Sequence, residues 1–165
     1  DTGEDQPSGE PGLLKVKGPN VMMGYLGMPD KTAEVLKDGW YNTGDIVRID
    51  EQGYLWIEGR LSRFSKIGGE RVPHGNGEET LNDLADQNEV VFAVTGLPDE
   101  KKGERLAVVH TASEEVLEEV LSKLTDATIP NLWKPKRGQF LKVDKLPYLG
   151  TGKLDLKRLQ EIAQG

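Results

Sequence analysis

A change of pattern after Gly59 most constrains what this chain can fold into. Before it, Ile46–Ile49 and Tyr54–Ile57 are rich in β-branched and aromatic residues. Asp50–Gly53 between them has the composition of a hairpin turn, and Leu13–Lys17 alternates apolar and basic residues as a half-buried strand does. We therefore predict that this first part of the chain forms a small, mainly β region.

Two further segments of the first part carry weaker signals. Pro29–Leu36 predicts a short helix with Asp30 as its N-cap, because a side-chain oxygen at that position accepts a hydrogen bond from the first turn. Val21–Gly24 is apolar, and we expect it to extend the first strand beyond the stop at Gly18–Pro19.

Helical and strand patterns alternate in the second part, which starts at Arg60. Asn76 is expected to cap a helix whose Leu81 and Leu84 face inward, and Ser113 to cap a second helix with a regular apolar stripe. The other expected elements are paired strands at Val90–Thr95 and Leu106–Thr111, a short strand at Gln139–Val143 and a final amphipathic helix at Leu154–Ala163.

Charge changes at the same boundary, which we place at Gly59–Arg60. Residues 1–59 hold 5 basic and 11 acidic side chains, net 5 − 11 = −6, whereas residues 60–165 hold 16 and 17, net −1. The predicted fold class is α+β, with a β-rich region over the first range and a compact α+β domain over the second.

The segment 134–158 is basic, with eight basic and two acidic side chains, net 8 − 2 = +6. On charge alone it is either a solvated basic face, which we favour, or a surface that attracts a polyphosphate or an acidic partner. Nucleic acid is not an expected partner, because the whole chain has a net charge of −7 and no aromatic residues alternate with the basic ones.

Composition excludes several classes of site. The chain has no Cys, so it holds no disulfide, thiol nucleophile or cysteine-ligated zinc. His74 and His110 are far apart and lack ligand neighbours, and we expect no metal site. No apolar run is long enough to span a membrane. The chain starts at Asp1 with turn-forming residues, so we expect no signal peptide and a piece cut from a longer protein.

Three short motifs carry candidate chemistry. Trp40–Asp45 places the Asp45 carboxylate after a glycine, just before a predicted strand, where it suits a ligand with vicinal hydroxyls or simply forms a turn. Lys66–Gly69 is a basic, glycine-rich loop that lets a phosphate or a thin chain approach, or merely turns the backbone. Pro147–Lys153 puts Lys153 at the end of a glycine loop, within reach of a phosphate or carboxylate.

In this order and spacing, the motifs resemble the carboxy-terminal part of the adenylate-forming enzymes. The resemblance begins at Gly12–Tyr25 and extends to about Leu159. Within that superfamily, Gly59–Glu70 and Val72–His74 are most similar to the acyl-ACP synthetase module, which often belongs to the bifunctional 2-acylglycerophosphoethanolamine acyltransferase/acyl-ACP synthetases. The resemblance implies that residues 1–59 are the end of a large domain and residues 60–165 a mobile lid.

The resemblance also implies roles for residues near the boundary. Asp45 would bind the ribose hydroxyls of ATP and of the acyl-adenylate, and Arg60 would assist at the ribose or phosphate. Ser62 falls at the hinge position, within residues 60–64, where many relatives have Asp or Lys. Any residue able to absorb a backbone rotation serves there.

Further residues of the lid gain roles in the same way. Lys66, Gly68 and Gly69 would line the phosphopantetheine channel, and Lys153 would bridge the fatty carboxylate and the α-phosphate. Two positions depart from the pattern. Leu156 replaces a common Arg, and Gly77 stands where an apolar residue is usual, which we expect to weaken the start of its helix.

The implied activity is that of a fatty acid-activating ligase that uses ATP, with Mg²⁺ brought by the nucleotide. The acceptor is the phosphopantetheine thiol of either acyl carrier protein (ACP) or CoA, and the upstream large domain supplies the phosphate loop and acid pocket. We expect a cytoplasmic location, and leave open an association of the full-length parent with the inner membrane. The alternative is a non-catalytic module that docks an acidic carrier protein or other acidic partner through residues 134–158.

Overall fold

The chain divides into two compact units in a computed structural model that describes residues 4–165. The first unit ends at Ser62 and the second begins at Arg63. This division lies within the region 60–64 expected for the hinge, three residues after the boundary drawn from the sequence at Gly59–Arg60. That these residues act as a hinge stays a prediction.

The first unit is an antiparallel sheet with one short helix. Strand β3 lies at its centre and pairs with β1, β2 and β4. Strand β2 pairs with the start of β3, and β4 pairs with its second half. Its elements are β1 (Gly12–Val16), α1 (Pro29–Val35), β2 (Leu36–Lys37), β3 (Trp40–Ile49) and β4 (Leu55–Arg60). Ile46 and Val47 of β3 are buried, so the interior of the unit lies along its longest strand.

The structure corrects three expectations in this unit. Val21–Gly24 is not a strand. Helix α1 has Met28, not Asp30, at its N-cap, because Pro29 occupies the first helical position, where its missing N–H is no loss; Asp30 lies in the first turn. Strand β3 begins at Trp40, well before the expected start at Ile46.

The second unit is a mixed sheet covered by helices, which confirms the predicted α+β class. Its elements are β5 (Phe64–Ile67), β6 (Glu70–Pro73), α2 (His74–Ala85), β7 (Phe92–Asp99), β8 (Gly103–His110), α3 (Glu114–Asp126), β9 (Phe140–Lys142) and α4 (Leu156–Gln164). Short 3₁₀ turns lie at Leu61–Arg63, Asn131–Trp133 and Arg137–Gln139. The strand order is β6-β5-β8-β7, and β9 runs parallel to β8.

The sheet of this unit is buried on both faces. Side chains that alternate along β7 belong to different clusters: Phe92 and Val94 pack with Leu81 of α2 and Val120 of α3, whereas Ala93 packs with residues of the α4 side. The α4 cluster consists of Ala93, Val109, Leu146 and Leu159. None of the helices within residues 4–165 is both long and apolar enough to cross a membrane.

The helix caps of the second unit were predicted with mixed success. Ser113 caps α3 as expected and accepts a hydrogen bond from the Val116 N–H at 3.3 Å. Asn76 does not cap α2: the helix begins at His74 with Pro73 at its N-cap, which places Asn76 in the first turn. Gly77 is buried against β7, and an added Cβ would lie 3.8 Å from the Val94 side chain, an ordinary contact distance.

A buried polar pair joins β5 to α2. The Ser65 hydroxyl lies 2.8 Å from Nε2 of His74, and both side chains are almost fully buried. Burial, reinforced by the nearby Arg63 charge, lowers the pKa of His74 to about 4. Gly96 lies so close to the pair that no side chain fits there, because a Cβ would approach the Ser65 oxygen to 2.0 Å. The imidazole is therefore neutral near pH 7, and the pair depends on the absence of a side chain at position 96.

The low pKa of His74 makes stability depend on pH. Between the unfolded pKa of 6.5 and the folded pKa of about 4, the unfolded chain holds a proton that the folded chain excludes. The free energy of unfolding should therefore fall by about 2 kcal/mol between pH 7.5 and pH 5 because of this residue. Urea unfolding at both pH values measures the fall, and His74→Gln should remove most of it. An unchanged fall in the variant would contradict the assignment.

Candidate functional site

Asp45 and Arg60 form an ion pair in the first unit. They are cross-strand partners on β3 and β4, and Nε of Arg60 lies 3.0 Å from Oδ1 of Asp45. Nη1 of Arg60 donates a second hydrogen bond, of 2.7 Å, to the carbonyl oxygen of Thr43. The sequence placed Asp45 on a turn before a strand, whereas it lies within β3.

The backbone around Asp45 is nevertheless irregular, which explains the turn-like sequence. Gly44 has φ +74°, and its N–H donates to Oδ1 of Asn42 at 3.0 Å. The Asp45 N–H donates to the Thr43 hydroxyl at 3.0 Å, and the pairing of β1 with β3 changes register beside this segment. A Cβ at Gly44 would lie 3.4 Å from Nη1 of Arg60. The glycine therefore allows both the backbone conformation and the close approach of the guanidinium.

The pair presents one anionic and one cationic group. The Asp45 side chain is 26% exposed and that of Arg60 is 61% exposed. No hydrogen bond within residues 4–165 involves the second carboxylate oxygen of Asp45, Oδ2. A carboxylate with one free oxygen accepts hydrogen bonds from hydroxyl groups, and an exposed guanidinium binds anions. Together they suit a ligand that carries hydroxyls next to a phosphate.

Gly68 and Gly69 form the tight turn of the β5–β6 hairpin in the second unit. Both have positive φ, +60° and +92°, as a two-residue hairpin turn of the primed type requires. The sequence suggested that Lys66 belongs to this loop, but it lies in β5 opposite Arg71 of β6. Nothing lies within 4 Å of a Cβ built on either glycine. The turn is therefore open to an approaching ligand.

A side chain from β8 helps to hold this hairpin. Backbone pairing between β5 and β8 is limited to Ile67 and Gly103, with a further bond of 2.9 Å from the Gly68 N–H to the Lys102 carbonyl oxygen. The Glu104 carboxylate accepts a hydrogen bond from the Lys66 N–H and so replaces a backbone acceptor. No local sequence pattern indicates this role of Glu104, because Glu104 and Lys66 lie 38 positions apart.

Lys153 lies in a small closed loop between β9 and α4. Tyr148 and Leu154 form a bridge, and the Leu149 N–H donates to the Lys153 carbonyl oxygen at 2.8 Å. Gly152 turns the loop with φ +80°. The Lys153 side chain is exposed, and it has no hydrogen bond or ion pair with any residue that the structure describes.

Residues on either side fix the base of the Lys153 loop. Leu154 packs against the α4 cluster, and the Asp155 N–H donates to the Pro147 carbonyl oxygen at 2.9 Å. The Asp155 side chain caps α4 by accepting from the Arg158 N–H at 3.0 Å. Leu156, which replaces a common Arg, is the first residue of α4 and is half-buried. An exposed cation without a partner among residues 4–165 thus extends from a loop whose base is held.

The structure brings some expected site residues together and separates others. Asp45 and Arg60 are in contact. Within the second unit, the hairpin pairs with the Gly103 end of β8, whereas β9, which precedes the Lys153 loop, pairs with the other end at Val108–His110. Ser62, the last residue of the first unit, is exposed and lies in the 3₁₀ turn Leu61–Arg63. No cluster of three metal-ligating side chains exists in the described part of the chain, residues 4–165.

The basic residues of segment 134–158 are only partly neutralised. Arg137 pairs with Glu114 and with Glu118, the latter at 2.9 Å, and Arg158 pairs with Glu161 at 2.9 Å. Five exposed lysines of the segment have no such partner among the described residues: Lys136, Lys142, Lys145, Lys153 and Lys157. The segment therefore keeps unpaired positive charge after Arg137 and Arg158 have paired with acidic residues outside it.

Comparisons with known proteins give a consistent result over nearly the whole chain. No family model matches. The chain is 36% identical to a feruloyl-CoA synthase from Amycolatopsis over 93% of its own length and 31% of the relative. It is 34% identical to a long-chain-fatty-acid–CoA ligase from Escherichia coli, over 100% of its own length and 29% of the relative.

A solved structure agrees with these sequence matches. ATP-bound MatB from Rhodopseudomonas palustris matches 98% of this chain with a TM-score of 0.75 and 34% identity, and the chain covers 32% of that protein. The chain thus spans about a third of the length of the relatives that it matches.

Proposed function

Because the chain matches the C-terminal part of the adenylate-forming acyl-CoA ligase family, we propose that the whole protein activates a carboxylic acid with ATP and transfers the acyl group to a thiol. The observation that carries this proposal is the Asp45–Arg60 pair, which presents a hydroxyl acceptor beside a phosphate-binding cation. The reaction takes place in the cytoplasm, where ATP is available, and Mg²⁺ arrives with the nucleotide.

The proposed chemistry has two steps that balance. In the first, a carboxylate oxygen attacks the α-phosphorus of ATP, and the bond to the β-phosphate breaks, which gives an acyl-adenylate and pyrophosphate. In the second, a thiol attacks the acyl carbon, loses its proton and displaces AMP. The first step makes a carboxylate oxygen part of a good leaving group, AMP. The two steps need different protein groups beside the same reacting carboxylate.

Asp45 and Arg60 serve both steps by holding the nucleotide. The free Asp45 oxygen accepts hydrogen bonds from the ribose hydroxyls, and the guanidinium of Arg60, which is 61% exposed, binds the ribose or phosphate. The existing ion pair orients the carboxylate before any ligand binds. These residues therefore contribute to binding rather than to bond breaking.

Lys153 and the β5–β6 hairpin act in turn. We call the second unit, residues 63–165, the lid. In one lid orientation, the unpaired Lys153 ammonium stabilises charge between the carboxylate and the α-phosphate. In the other, the open Gly68–Gly69 turn, with Lys66 beside it, lines the path of the phosphopantetheine thiol. Rotation at Ser62, between the two units, exchanges the orientations.

The role of Lys153 predicts unequal effects on the two steps. In the full-length protein, Lys153→Ala should lower acid-dependent ATP–pyrophosphate exchange by about 100-fold or more, since a charge aligned with the transition state is lost. Thioester formation from supplied acyl-adenylate should change by less than about threefold. Both rates are measured on the purified variant, with Lys37→Ala, an exposed and unpaired lysine of the first unit, as the control. An equal loss in both steps would exclude this role.

The chain alone should be inactive. The phosphate loop and the acid pocket that the family resemblance implies are not found in residues 1–165. Acid-dependent ATP–pyrophosphate exchange by the isolated chain should therefore equal the background, and a rate above it would overturn the expectation. Carrier-protein binding by the isolated chain that is unaffected by Asp45→Asn would instead support a docking module.

The proposed reaction also involves a particular acid and a particular thiol acceptor. We favour a fatty acid as substrate and an acyl carrier protein as acceptor, with CoA as the alternative. The support for a carrier is electrostatic, because Lys142, Lys145 and Lys157 leave an unneutralised positive surface on the lid. An acidic protein contacts such a surface over a wide area, whereas CoA contacts it over the area of one nucleotide.

Charge reversal on the lid separates the two acceptors. The double variant Lys142→Glu/Lys145→Glu should raise KM for an acidic carrier protein by about tenfold. KM for CoA should change by less than about twofold, because the hairpin is intact. A double variant of two exposed lysines in the first unit, Lys15→Glu/Lys37→Glu, is the control. Equal changes for both acceptors, or none for the carrier, would contradict carrier docking at this surface.

A further inference from the structure

Strand β7 is at the edge of the lid sheet, and side chains satisfy its free backbone groups. Asn82 of α2 accepts from the Phe92 N–H at 3.1 Å and donates to the Phe92 carbonyl oxygen at 3.0 Å. Glu78, one helical turn earlier, accepts from the Val94 N–H through Oε1 at 2.7 Å. Unpaired backbone groups at a buried edge are costly, so these contacts fix α2 against β7.

Arg63 completes this arrangement and is the first residue of the lid. Its Nη1 donates to the Val94 carbonyl oxygen at 3.1 Å, and its Nη2 pairs with Oε2 of Glu78. The Arg63 side chain is 17% exposed and that of Glu78 is 20% exposed, so solvent screens this ion pair far less than a surface pair. A charged network therefore ties the chain to α2 and β7 immediately after Ser62.

We propose that Arg63 is a positioning residue that fixes the lid end of the hinge, so that backbone rotation is confined to Ser62 and the residues before it. This inference rests on the proposed two-orientation function. Ser62 is exposed, whereas Arg63 is held by two other elements. An exposed residue is thus followed directly by one whose side chain is held, at the position where the units divide.

Release of Arg63 acts unequally on the two functional segments of the lid. Strand β5 starts directly after Arg63 and leads into the Gly68–Gly69 turn, so Arg63 holds the start of the hairpin whose tip is held by β8. Lys153 belongs to a loop anchored through Leu154 in the α4 cluster, on the face of the sheet opposite α2. Thioester formation, which uses the hairpin, should suffer more than adenylation, which uses Lys153.

The test uses two variants of the full-length protein. Removal of one partner leaves an uncompensated charge in a largely buried site and risks unfolding, so the main variant is the double Arg63→Met/Glu78→Gln, in which residue 78 keeps an acceptor for the Val94 N–H. Arg63→Lys keeps the charge but loses the forked geometry that reaches both partners. Val120→Ala, in the core between α2 and α3 and remote from Arg63 in sequence, controls for general destabilisation.

We expect thioester formation from supplied acyl-adenylate to fall by about tenfold in the double variant, with adenylation changed by less than about threefold. Hydrogen exchange at the amides of residues 63–65 should accelerate by about tenfold or more. Arg63→Lys should lie between wild type and the double variant. Val120→Ala should lower the melting temperature without a change in the ratio of the two rates.

Three results would overturn the inference. One is a double variant whose two rates fall in the same proportion as in Val120→Ala. The second is unchanged exchange at residues 63–65 in a folded double variant. The third is a lysine variant more impaired than the double variant. Failure of the wild-type protein to form an acyl-adenylate at all would instead refute the proposed function, so the two failures are distinguishable.

Discussion

Burial of both faces of β7 and β8 is the constraint on which the arrangement of the lid depends. Side chains that alternate along these strands enter clusters on opposite faces, so neither face is free to carry an exposed ligand site. The candidate functional groups of the lid lie on turns and loops outside this covered sheet. Gly68 and Gly69 are at the tip of a hairpin beside one end of β8, and Lys153 is on a loop that follows the strand at its other end. The core thus lies between two candidate functional segments of one compact unit.

The sequence was sufficient for the elements that depend on local pattern. The apolar run Val90–Thr95 predicted β7, and the Ser113 cap with its apolar stripe predicted α3, because burial determines which residues near each other in the chain are apolar. The placement of Asp45 failed since a glycine with positive φ inside a strand has the same composition as a turn. Arg63–Glu78 and Glu104–Lys66 were missed because each joins residues distant in sequence and leaves no periodic signal.

The two units contribute different things to the proposed activity. The first presents Asp45, already oriented by Arg60, and so resembles a preorganised binding surface. The second presents an unpaired ammonium and an open turn, whose effect depends on where the lid points. The relatives that the chain matches act on acids as different as feruloyl and long-chain fatty acyl groups.

The central claim is that the whole protein forms an acyl-adenylate. The most direct measurement supplies the full-length protein with ATP, a thiol acceptor and a fatty acid whose carboxylate carries ¹⁸O, and then analyses the nucleotide product by mass spectrometry. Attack of a carboxylate oxygen on the α-phosphorus predicts AMP that contains ¹⁸O from the acid, together with pyrophosphate. Formation of ADP, with the label in inorganic phosphate, would mean attack at the γ-phosphorus and would contradict the account.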